Sequence, residues 1–171
     1  GLFCSIFPGT TQSEGLEIAR DIQNRLAEKA EQTVTIGIAS YPISAFKKSD
    51  MIDNSRKALD HAAFFGPGSA VAFDGVSLNI SGDKLYENGD LQGAIDEFKR
   101  ALLIDPSNIN VHNSLGVCFG LQGEYESAIE EFKTVASIDP GEYMAMFNLG
   151  LVHALRKQPE RALEFFLNAD T

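Results

Sequence analysis

Three histidines, two cysteines and a few neighbouring carboxylates are the side chains of this 171-residue sequence with chemistry to offer. His61, His112 and His153 stand apart, and no His-x-x-His, His-Glu or Cys-x-x-Cys spacing gathers zinc ligands. Cys4 and Cys118 are far apart in the chain, and both are expected as buried free thiols of a reducing, cytoplasmic compartment. Asp96-Glu97 and Glu130-Glu131 read as solvated helix faces rather than the separated acid–base pair of a hydrolase. Gly66-Pro67-Gly68 lacks the Gly-Lys-Ser/Thr of a phosphate-cradling loop and reads as a helix stop. There is no G-x-S-x-G elbow and no Ser/His/Asp grouping. The residues therefore point away from catalysis, metal and cofactor, and towards binding.

The elements that would carry a binding surface show themselves as a repeat. At a shift of 34 residues Gly82 falls on Gly116 and Gly150, Ala94 on Ala128 and Ala162, and Phe98 on Phe132 and Phe166. Ile104-Asp105-Pro106 recurs as Ile138-Asp139-Pro140. Each unit reads as two helices. The small residues at the glycine and alanine positions let the two backbones approach, and the phenylalanine is expected to fill space towards the next unit. Gly89 and Gly123 close helix A, because a residue without Cβ accepts the left-handed conformation. Asp-Pro ends helix B, since the residue before proline is pushed out of the α region. Units of this kind bury their apolar faces only by stacking.

On these residues, positions 75–171 resemble the tetratricopeptide repeat (TPR) family in three units, 75–108, 109–142 and 143–171. The tryptophan often found early in helix A is replaced by Leu78, His112 and Met146. The third unit stops at Thr171 without a capping helix, and the chain begins at Gly1 rather than Met. Both features read as those of a fragment. The resemblance implies a concave groove lined by the fifth, ninth and twelfth positions of each unit. These are Asn79, Asp83 and Tyr86, then Asn113, Val117 and Gly120, then Phe147, Leu151 and Ala154. The set holds no lysine or arginine, unlike the family members that clamp an acidic peptide terminus. Asparagines can hydrogen-bond an extended backbone while Phe147 and Leu151 hold an apolar side chain.

Residues 1–74 read as β-α-β-α-β: an apolar strand over Leu2–Phe7, a helix from Ser13 to about Glu31, a strand over Val34–Tyr41, a helix capped by Ser49, and a strand over Ser69–Asp74. Phe3–Pro8 with Gly9-Thr10, Thr33–Ala39, Tyr41-Pro42, Ala58-Leu59, Gly66 and Ser69-Ala70-Val71 resemble the C-terminal portion of a GGDEF domain, the fold of bacterial diguanylate cyclases. The resemblance implies that this half is catalytically dead. Its acidic pair falls on Gly1-Leu2, which cannot hold magnesium, and its phosphate-facing lysine and arginine fall on Ala63 and Pro67.

The expected fold class is α+β: a partial GGDEF-like α/β sandwich followed by an all-α solenoid of three helix pairs. Positions 1–75 carry nine acidic and seven basic residues, positions 76–171 fifteen and seven. That acidity makes nucleic acid and membrane surfaces unfavourable partners, and no apolar run is long enough to span a bilayer. The expected function is a non-catalytic protein- or peptide-binding scaffold of a bacterial signalling protein. The alternative is a fragment of a cyclase turning GTP into cyclic di-GMP, with the repeats as a sensor. A third reading keeps the first half as a nucleotide receptor or dimerisation platform. The strand missing from the partial sheet would leave an unpaired edge, at which a homodimer can form.

Overall fold

The computed structural model describes residues 1–43 and 46–169. The chain forms two compact units, Gly1–Ser81 and Gly82–Thr171. Helix α3 (Gly75–Glu87) runs through the division.

The first unit orders α1 (Gln12–Ala30), β1 (Ile36–Ile38), α2 (Met51–Ala63) and β2 (Ala70–Ala72) ahead of α3. Thr11 and Glu14 form a capping box that starts α1. The two strands pair in parallel, Ile36 opposite Ala70 and Ile38 opposite Ala72. Helix α2 lies directly on β1, because a Cβ at Gly37 would collide with the backbone of Ser55 and Leu59. Ala58 and Ala62 are fully buried in this contact layer. Asp74 opens α3 by accepting from the Ser77 backbone N–H at 2.9 Å.

This differs from the expected β-α-β-α-β sandwich in ways that have physical causes. Leu2–Phe7 forms no strand: it is exposed, Phe3 by 93%. A strand is held by its ladder, and the one ladder among the described residues joins β1 to β2. The Val34–Tyr41 strand shrinks to Ile36–Ile38, which is half-buried. Ser49 does not cap α2. It lies in a 3₁₀ turn, Lys48–Asp50, and its hydroxyl donates to Asp50 Oδ1 at 3.1 Å, while Asp50 Oδ2 accepts from the Lys47 backbone. Cys4 is exposed, because it belongs to the unpaired segment; Cys118 is buried as expected.

The second unit continues α3 and adds α4 (Leu91–Ile104), α5 (Ile109–Gln122), α6 (Tyr125–Ile138), α7 (Tyr143–Leu155) and α8 (Pro159–Ala169). From α4 onward each helix packs on the next, and α5 also meets α7. The helix pairs of the sequence reading are therefore present, although the expected end at Thr171 lies outside the described residues. Asp90, Asn108 and Glu142 cap α4, α5 and α7 through their side-chain oxygens. Asp105 and Asp139, each followed by proline, end α4 and α6 as expected. Gly89 and Gly123 take φ +81° at the close of α3 and α5. The matching position of the third pair is Lys157, held at φ +58°.

One contact recurs in every pair. A Cβ built on Gly82 would lie 2.5 Å from the Phe98 ring, and one on Gly116 2.6 Å from the Phe132 ring; on Gly150 it would collide with Phe166. The phenylalanine thus closes on the glycine of its own unit, which corrects the expectation that it fills space towards the next. Phe98 and Phe132 are 1% exposed, so neither ring has room to swing away. We expect Gly116→Ala to destabilise the protein by about 1–3 kcal/mol through overpacking, outweighing the up to about 1 kcal/mol that alanine gains in a helix interior. Urea unfolding of Gly116→Ala, with and without Phe132→Leu to make room, measures this; equal losses with and without the second change would show that the ring is not the obstacle.

Candidate functional site

The residues expected in the groove do not all meet. Four of them, Asp83 and Tyr86 on α3 with Asn113 and Val117 on α5, line one pocket of about 270 Å³. The sequence reading missed its other walls: Phe98 from α4, Ser114 from α5, and Met144 and Asn148 from α7. Phe147 and Leu151 lie on α7 outside this lining, exposed by 43% and 42%. The Phe147 ring leans on Phe166, with centroids 5.4 Å apart. Asn79 belongs to the first unit and is half-buried. Of the remaining groove positions, Gly120 is half-buried and Ala154 exposed.

The reason for the offset lies in helical spacing. Asn113 and Val117 are one turn apart on α5, and Met144 and Asn148 one turn apart on α7, so each pair forms a single stripe. The α7 stripe facing the pocket is displaced from the one that carries Phe147 and Leu151. Asn148 and Ser114 are themselves equivalent at the 34-residue shift, and that equivalence was the signal available in the sequence.

The pocket lining mixes polar side chains with apolar ones and holds no lysine or arginine. Asn113 Oδ1 is buried and has no hydrogen-bond partner among the described residues. The Asp83 carboxyl is held above the usual carboxylate range, first by burial and then by the neighbouring Glu87 charge. Cys118 sits nearby with its thiol pushed up to about 11, by burial first and Asp83 second, so it stays protonated at neutral pH.

The histidines have structural partners. His112 is buried with Nδ1 2.6 Å from Glu131 Oε2 and Nε2 3.0 Å from the Pro106 carbonyl oxygen, tying helix B of its unit to the turn before helix A. His153 stacks on Phe165, centroids 5.1 Å apart, with Nδ1 2.8 Å from Gln158 Oε1. His61 Nδ1 lies 3.2 Å from Ser77 Oγ. The reading of the acidic pairs as solvated faces holds for Asp96 and Glu130, which are exposed. It fails for their neighbours. Glu97 is buried and pairs with Arg100 at 2.9 Å, and Glu131 is taken by His112. Adjacent helical residues point about 100° apart, so one of each pair faces inward.

Sequence profiles of the tetratricopeptide repeat match residues 82–123 and 122–170. Residues 82–170 are a tetratricopeptide-repeat array. Among solved structures, MamA is similar at 26% identity over 56% of this chain and 56% of that chain, with a TM-score of 0.54. YrrB, described as a TPR protein with an unusual peptide-binding site, is similar at 23% identity over 69% of this chain and 59% of that one, TM-score 0.55. The second TPR domain of Spaghetti (RPAP3), bound to the HSP90 peptide SRMEEVD, is similar at 17% identity over 56% of this chain and 89% of that one, TM-score 0.54. The last two likenesses concern the fold. The chain spans little more than half of the MamA and YrrB chains. No curated protein sequence matches significantly. Among the described residues no helix is long and apolar enough to cross a membrane.

Asp83 gives the TPR array a pH signature. A carboxyl whose folded-state pKa is raised binds its proton more readily folded than unfolded. The stability it contributes is present at low pH and is lost as pH rises from about 4, the ordinary aspartate value, through the raised one. Thermal melts across that range should therefore show the wild type falling relative to Asp83→Asn as pH rises. Parallel curves would contradict the burial of this group.

Proposed function

We propose that this chain is a non-catalytic scaffold that binds a protein or peptide in the concave groove of its TPR array. The observation that carries the reading is the pocket formed jointly by α3, α5 and α7, in which four residues expected at groove positions meet. Three helix-A elements contributing to one concavity suit an extended segment laid across successive units, its backbone meeting Asn113 and its apolar side chains Phe147 and Leu151. Asn79 is included from its place in the repeat alone. Peptide binding by YrrB and Spaghetti, which have the same fold, adds support. In a pull-down or peptide-array screen, Asn113→Ala combined with Leu151→Asp should weaken every captured interaction; a double variant that keeps them all would sink the groove reading.

For residues 1–74 the proposal is a degenerate GGDEF-like neighbour in a bacterial, cytoplasmic signalling protein. It is supported by the parallel β1–β2 pair with α2 between its strands. Gly1-Leu2, Ala63 and Pro67 at the positions of the acidic pair, lysine and arginine argue against turnover there. The partial sheet also leaves an edge on which a homodimer could form. Incubation of the chain with GTP and magnesium should yield no cyclic dinucleotide; product formation would restore the cyclase reading.

A further inference from the structure

We infer that the pocket beside Asp83 is a subsite for a basic side chain, so that the groove takes an extended peptide carrying a lysine or arginine. This rests on the groove reading above and names its ligand class. The sides of the pocket, Phe98, Val117 and Met144, offer an apolar sleeve, while Asp83 and Asn113 offer acceptor oxygens. A long aliphatic stem ending in a cationic head matches that combination of surfaces better than a short polar or a wholly apolar side chain. Asn113 Oδ1 is shielded from water and lacks a donor among the described residues, a deficit that a ligand N–H makes good. Burial and the Glu87 charge both disfavour the anionic form of Asp83, and an arriving cation, by favouring that form, offsets them.

Charge complementarity favours the same occupant on a larger scale. The array is acidic, fifteen acidic against seven basic residues over positions 76–171, so a cationic segment is drawn towards it and an acidic one repelled. Lys99 lies over the Phe119 ring at 5.3 Å, and Arg156 pairs with Glu126 at 2.7 Å. The lining itself contains no lysine or arginine.

The test is an array of short extended peptides, alike except for one central position that is lysine, arginine, norleucine or glutamate, probed with the intact chain. Lysine and arginine peptides should bind above norleucine, and glutamate below it. Asp83→Asn should cut the lysine and arginine signals about tenfold relative to norleucine, the scale of one charge-assisted hydrogen bond. Its melting temperature, measured alongside, establishes that the variant is folded. Norleucine or glutamate equal to lysine, or a lysine preference that survives Asp83→Asn, overturns the basic subsite and leaves the groove standing. Binding that ignores Asn113→Ala with Leu151→Asp, or no binding by any peptide, overturns the groove and the subsite together.

Discussion

Each helix pair of the array is spaced by a phenylalanine ring resting on a backbone that has no side chain to receive it. Gly82, Gly116 and Gly150 supply that bare backbone, and Phe98, Phe132 and Phe166 supply the rings. The contact is made within a unit, sixteen residues apart in the chain, so it demands no long loop closure and can form early. Alanines at 94, 128 and 162, all buried, extend the close approach along helix B. The remaining core of the second and third pairs is largely aliphatic, with Leu115, Val135 and Leu149 almost fully buried.

The candidate site inherits that geometry. Because α3, α5 and α7 occupy equivalent places in their pairs, their exposed stripes converge on one concavity without any loop contributing. The polar groups there stand on helices, whose backbones are already hydrogen-bonded, so ordering them for a ligand costs little conformational entropy. The side chains with most chemistry are diverted to structural tasks. His112 and Glu131 are occupied with each other, and Cys118 is hidden with its proton retained. What remains at the surface is suited to recognition.

The array was legible because its determinants are local and repeated: a glycine, an alanine, a phenylalanine and an Asp-Pro at fixed spacing state the same structure more than once. The groove was half legible. Position within the unit placed Asp83, Tyr86, Asn113 and Val117 together, but not Met144 and Asn148, whose approach depends on how α7 turns against α5. The inward turn of Glu97 and Glu131 was invisible for a related reason, since a sequence of two adjacent acids does not say which one meets Arg100 or His112. The first unit was read least well. Leu2–Phe7 has the composition of a strand, yet strand formation depends on a partner ladder that no local pattern encodes.

Lys157 closes α7 in the left-handed region where the two preceding pairs use glycine. An L-residue held there stores about 1–2 kcal/mol of steric strain. The helix that follows, α8, contributes only Ala162 to the fully buried core. The α7–α8 hairpin is therefore a softer seam than the two glycine-closed hairpins before it, and α8 should show weaker amide protection than α4 or α6. A ligand seated across α5 and α7 would slow exchange in α8 without touching it, because it holds shut the helix on which α8 rests.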